Sequence, residues 1–214
     1  MKRHACWILL LAATWIVGAA GTAVAEPTGT KEMAPPKSGP ETAAVLSLFG
    51  HGATWDGQVP AGALGPNAPA TTSHGRAVCG PAVDGFWCRC EIEDRMGEGK
   101  NAKTWRGHMV VGYDVPSKAY RAFIADNTGA FQVFDGTMEG NTLTLTTPQP
   151  ISFMGMMLRD RLTFVGGPDG VIASFKDEHQ VGDGPWMPFE TVAHMTPLGA
   201  ERAHATPAGK TKTK

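Results

Sequence analysis

Cysteine is scarce in this chain, four in 214 residues, and tyrosine is scarcer at two. So few thiols exclude a disulfide-dense miniprotein. A surplus charge of either sign is also missing, since 19 Lys and Arg stand against 20 Asp and Glu. A nearly neutral chain has no electrostatic footprint for nucleic acid, so none is expected as a partner. Beyond residue 25 no apolar run approaches the roughly 20 residues that span a bilayer as a helix. There is no Gly-x-Ser-x-Gly elbow, His-Glu-x-x-His helix, phosphate loop or Gly-x-Gly-x-x-Gly fingerprint. The standard hydrolase, metalloprotease and nucleotide-binding templates therefore find no purchase.

What is present begins with an address. Lys2, Arg3 and His4 precede an apolar run from Ala5 to Ala20, and Ala23-Val24-Ala25 supplies small residues for a peptidase. This pattern predicts a secretory signal peptide over 1–25, cut before Glu26, and a periplasmic or secreted protein with no stable membrane span. Residues 26–40 are rich in Pro, Gly and Lys and read as a flexible leader. Residues 197–214 read as a disordered basic tail. One domain is expected between them, over 41–196.

Within that domain Asp-Gly occurs five times, at Asp56-Gly57, Asp84-Gly85, Asp135-Gly136, Asp169-Gly170 and Asp183-Gly184. The pair suits tight hairpins, because Gly adopts positive φ freely and Asp tolerates it. The runs between turns alternate with period two. Trp105, Gly107, Met109, Val111 and Tyr113 share one face, and Cys88, Cys90 and Ile92 oppose Arg89, Glu91 and Glu93. Ten strands are expected, near 53–59, 71–79, 86–94, 104–113, 119–125, 130–135, 141–146, 159–165, 171–178 and 187–195. Only Glu41–Phe49 reads as a helix. Hairpin-linked strands leave two open edges unless the sheet closes. The fold predicted is thus all-β, a closed antiparallel up-and-down barrel of about ten strands, with the short N-terminal helix plugging one end. A two-sheet sandwich is the alternative.

Particular segments carry a likeness. Gly107–Gly129 (GHMVVGYDVPSKAYRAFIADNTG), Phe134–Leu145 (FDGTMEGNTLTL), Leu48-Phe49-Gly50, Trp55-Asp56-Gly57 and Trp186–Glu190 together resemble bacterial domain-of-unknown-function family 1579. The resemblance covers most of 45–196 and implies a calycin-like barrel with no established activity.

Three cysteines lie in the domain. A hairpin centred on Asp84-Gly85 sets Cys79 opposite Cys90 if those two residues are the whole loop, and opposite Cys88 if the loop is 82–85. Either pairing makes a cross-strand disulfide, with the third thiol beside it and available for exchange. A three-thiolate metal site is disfavoured, because no Cys-x-x-Cys spacing accompanies it, and no metal or cofactor is expected. A haem would need a histidine on the inner face, whereas His108 and His194 fall on polar faces.

The inward-facing set is read as Trp105, Met109, Phe131, Val133, Phe175 and Phe189. The Met-rich stretch 153–157, following Pro148 and Pro150, is read as a rim loop. Trp105, Met109, Phe131, Met154, Met157 and Phe175 are accordingly the candidate contacts for a small apolar ligand. The loop 60–70 is a candidate lid. Glu91, Glu93 and Asp94 are assigned to an outer face, and Asp177-Glu178-His179 forms the one acid/base cluster worth watching. The leading functional expectation is an exported barrel binding a small apolar molecule inside. A filled barrel with a structural or interaction role comes second, and a hydrolase-like enzyme with its site at the mouth third; catalysis is not favoured. Oligomeric state is left open.

Overall fold

β-branched and aromatic residues alternating with polar ones fit a pleated surface that is dry on one side and wet on the other. In a computed structural model, described for residues 37–198 except His51, Pro66, Met154 and Gly155, that pattern forms a barrel. The expected signal segment, most of the leader and most of the tail lie outside the described residues.

The helix α1 (Pro40–Phe49) starts with Pro at its first turn behind Gly39 and ends at Gly50, whose N–H donates to the Leu46 carbonyl. Twelve strands follow: β1 (Gly52–Val59), β2 (Thr71–Ala82), β3 (Trp87–Met96), β4 (Lys103–Asp114), β5 (Ala119–Asp126), β6 (Phe131–Glu139), β7 (Thr142–Thr146), β8 (Ile151–Phe153), β9 (Met156–Gly166), β10 (Ile172–Val181), β11 (Met187–Val192) and β12 (Met195–Pro197). All pairings are antiparallel. β1 through β7 are neighbours in order, then β9, β10 and β11, and β11 returns to β1. Ten strands thus close the wall, as the periodicity predicts. The short β8 is a hairpin extension on β9, and β12 is a second partner of β1. Among the described residues no helix is long and apolar enough to cross a membrane.

The hairpins β2–β3, β4–β5, β6–β7 and β9–β10 lie at one end of the barrel, and α1 packs there against β2, β3 and β4. Val45, Leu48 and Phe49 of the helix are buried in the same core as Met109, Val111, Phe134, Leu145 and Phe164. Burying such side chains stabilises the fold by roughly 1.5–3 kcal/mol each. The opposite end carries the loops 60–70, 97–102, 127–130 and 182–186.

Several expectations need correction. Asp135-Gly136 is not a turn but lies inside β6, and Asp56-Gly57 lies inside β1, within the strand expected near 53–59. A Cβ on Gly57 would collide with Ser73 and Glu190, and one on Gly136 with Leu145, so these glycines serve close approach. The described residues of the Met-rich stretch lie in strands, Phe153 at the end of β8 and Met156 and Met157 in β9. Met156 opens β9 and pairs with the backbone of Phe153, and Met156 and Met157 are 49% and 59% exposed.

Candidate functional site

The hairpin β2–β3 is centred on Asp84-Gly85, with Val83, Asp84 and Gly85 all at positive φ. That centring places Cys79 directly opposite Cys90, and the two form a disulfide. Cys88 is the remaining thiol of the hairpin. It is fully buried, and burial pushes its thiol up to about 11, against the expectation of an exchangeable group.

Above this hairpin the barrel encloses a cavity of about 130 Å³. Toward the helix its wall is apolar, with Phe49, Met109, Ile124, Leu162, Phe164 and Phe175. Phe164 packs against both Phe49 and Phe175, with ring centroids 5.1 and 4.9 Å apart. Toward the loop end the wall is acidic, with Asp94, Asp126, Asp160, Asp177 and Glu190 together with His179 and Gln132. No lysine or arginine is among the described residues lining the cavity.

Two indoles lie across this acidic half. Trp55 donates from Nε1 to Glu190 Oε1 at 3.3 Å, and Trp105 donates to Asp126 Oδ2 at 2.9 Å. Each ring needs a glycine beneath it, because a Cβ on Gly75 would penetrate the Trp55 ring and one on Gly107 the Trp105 ring. Glu190 Oε1 also accepts from the Ser73 hydroxyl. Burial raises the Glu190 carboxyl above its usual range, although Ser73, Asp94 and Trp55 oppose this through hydrogen bonds. Its partner Asp94 is pushed up to about 8, first by burial and then by the charge and hydrogen bond of Glu190. Asp126 behaves oppositely. Burial works against its charge, but hydrogen bonds from Thr128, Trp105 and Ala130 outweigh it and hold the carboxyl below the usual range.

The third group joins two strands. Asp177 and His179 are two apart on β10 and share its inner face, and Asp160 of β9 lies opposite His179. His179 Nε2 is 3.5 Å from Asp177 Oδ1 and 3.7 Å from Asp160 Oδ1. Burial raises Asp160 to about 6 and drives Asp177 well above the carboxylate range, the latter helped by the charge of Asp160. It also lowers His179 to about 4. The His179 ring stacks on Phe189, centroids 4.5 Å apart.

Of the residues singled out from sequence, Trp105, Met109, Phe175 and Phe189 line the cavity. Phe131 and Val133 do not. They are 65% and 42% exposed on the outer wall, while Gln132 and Phe134 of the same strand point inward. Met157 is likewise outside the cavity, and Met154 falls outside the described residues. No described residue of the loop 60–70 lines the cavity. The acid/base trio splits. Asp177 and His179 face inward, but Glu178 binds Arg161 and Lys176 at 2.7 and 2.6 Å on the outer side, where Trp186 covers Arg161.

Sequence reasoning missed Asp94, Asp160, Glu190, Ser73 and Trp55. The signal was available. Asp94 shares its parity with Cys88, Cys90 and Ile92, and Asp160 with Leu158 and Leu162. Strict alternation therefore sets Asp94 on the inner face, correcting its assignment to the outer one.

Residues 48–194 match a family described as "Protein of unknown function (DUF1579)". No curated protein matches the chain.

Proposed function

The chain belongs to the DUF1579 family over most of its length, and on that premise we propose that it binds a small, mostly apolar molecule inside its barrel. The observation that carries this is the cavity of about 130 Å³ with an aromatic and aliphatic inner half. An engineered apolar cavity of about 150 Å³ takes up benzene, so a ligand of that scale fits, and a long acyl chain does not. The acidic half gives such a ligand an orientation. The Asp94 proton is taken by Glu190, but Asp126 offers an acceptor, so a hydroxyl or amine on the ligand would face the loop end. The same proposal makes 41–196 the binding domain of an exported protein, supported by the signal-like residues 1–25.

Native mass spectrometry of protein purified from its own compartment tests this reading, which requires added ligand mass. Trp55 and Trp105 line the cavity, so titration with benzene-sized aromatics should change their emission. Ile124→Phe, which takes up cavity space, should weaken that response at least tenfold. A bare chain, or an unchanged response in the variant, overturns the reading.

One observation favours a second reading, acid/base catalysis at the mouth. Asp160, Asp177 and His179 converge on the cavity with displaced ionisation. Turnover abolished in His179→Gln but kept in Glu178→Gln would select it.

A further inference from the structure

The cavity wall has a charge imbalance that the apolar-ligand reading leaves unused. Five carboxylates line it with no lysine or arginine among the described residues. In the Asp94–Glu190 pair Ser73 and Trp55 donate to Glu190, and Oδ1 of Asp94 has no hydrogen-bond partner. In the β9–β10 group Asp160 takes the backbone N–H of Arg161, and the Asp160 and Asp177 side chains share one hydrogen bond. Asp160 is 5% exposed, yet its Oδ1 accepts no hydrogen bond, and neither does Oδ1 of Asp177. Buried polar atoms are nearly always satisfied, so two bare carboxylate oxygens side by side call for something positive between them.

The geometry of the third member identifies it. One donor atom each from Asp160, Asp177 and His179 falls within 4.8 Å of the others. The imidazole Nε2 stands 3.5 and 3.7 Å from the two bare oxygens. An ion bound at about 2.0–2.2 Å by nitrogen and oxygen in tetrahedral geometry separates its donors by about 3.3–3.6 Å. Two carboxylates balance a double charge, and an imidazole selects transition ions over Mg²⁺ or Ca²⁺. We propose that Asp160, Asp177 and His179 form a binding site for one divalent first-row transition-metal ion on the barrel wall. The three groups sit on adjacent strands whose mutual register is unbroken from Ser174 to Val181, which fixes their spacing without a loop. The site goes beyond the apolar-ligand reading and does not depend on it, because its test uses metal alone.

The full chain, stripped with a chelator, is titrated with Zn²⁺ by calorimetry and with Co²⁺ by absorption. One equivalent should bind, with visible d–d bands for Co²⁺. Asp160→Asn and His179→Gln should each lower affinity at least tenfold. His74→Gln, a change at an exposed histidine paired with Asp56, should not. Mn²⁺ added to the unaltered protein supplies a readout that needs no variant. Paramagnetic broadening should centre on the amides of 158–162 and 176–180. No stoichiometric uptake at millimolar metal, equal affinity in Asp160→Asn and His179→Gln, or broadening centred elsewhere overturns the proposal. The first of these results would assign a shared proton to the two carboxyl groups.

Discussion

Asp94 shows how one buried carboxyl turns into a property of the whole protein. Its folded-state value of about 8 lies above the roughly 3.9 of an exposed aspartate, so the folded chain holds a proton that the unfolded chain releases. Between about pH 4 and pH 8 the native state therefore binds more protons, and stability falls as pH rises through that window. Asp94→Asn removes this contribution, so thermal melts should show the variant gaining on the parent at pH 8 and little at pH 4. A constant gap across the range would contradict the assignment. Cys88 makes a matching case in thiol chemistry. With no exposure and a raised pKa, it should resist alkylation in the native protein and react on unfolding. Peptide mapping after brief iodoacetamide treatment checks this, and rapid native labelling would refute it. Replacing Cys79 and Cys90 by serine should cost about 2–3 kcal/mol, read from chemical denaturation.

At the scale of strands, β6 separates what alternation reveals from what it conceals. Phe131-Gln132-Val133-Phe134 has aromatic residues on both parities, so period two alone leaves its inner face undecided. Pairing with β5 decides it. Ile124 opposes Gln132 and Ala122 opposes Phe134 inside, while Phe123 and Phe131 pack ring to ring outside at 5.8 Å. Phe134→Ala should therefore cost about 3–5 kcal/mol, and Phe131→Ser should stay within about 0.5 kcal/mol. Equal losses would show the register to be shifted. The ten wall strands and the helix were legible because their alternation and turn chemistry agree. β8 and β12 were not, being three residues each and held by pairing rather than by pattern. Strand glycines misled for a related reason. Asp-Gly signals a turn from sequence, but in β6 Gly136 answers a close contact with Leu145 of the neighbouring strand. The acid cluster was hidden likewise, since its members come from β3, β5, β9, β10 and β11 and converge only when the sheet curls shut. Asp177 and His179 were visible because they are neighbours in the chain.

At the largest scale, the described residues form a ring of hairpins with a greasy end under α1 and an acidic end under the loops. Its interior size is set by backbone as much as by side chains, since glycines at 57, 75 and 107 make room for Glu190, Trp55 and Trp105. Gly75→Ala should displace the Trp55 indole from Glu190 and lower the melting temperature by several degrees, with a changed near-ultraviolet dichroism. An unaltered spectrum would mean the ring is not seated as described. Closure has one further property. Most neighbouring strands share five to ten facing pairs, but β1 meets β11 through Gln58 and Thr191 alone, and β12 supplies three more after the break at 193–194. A ring unzips where its stitches are sparsest. Amide protons along that seam should therefore trade with deuterium sooner than those between β2 and β3, making the join of first and last strands the hinge on which the container breathes.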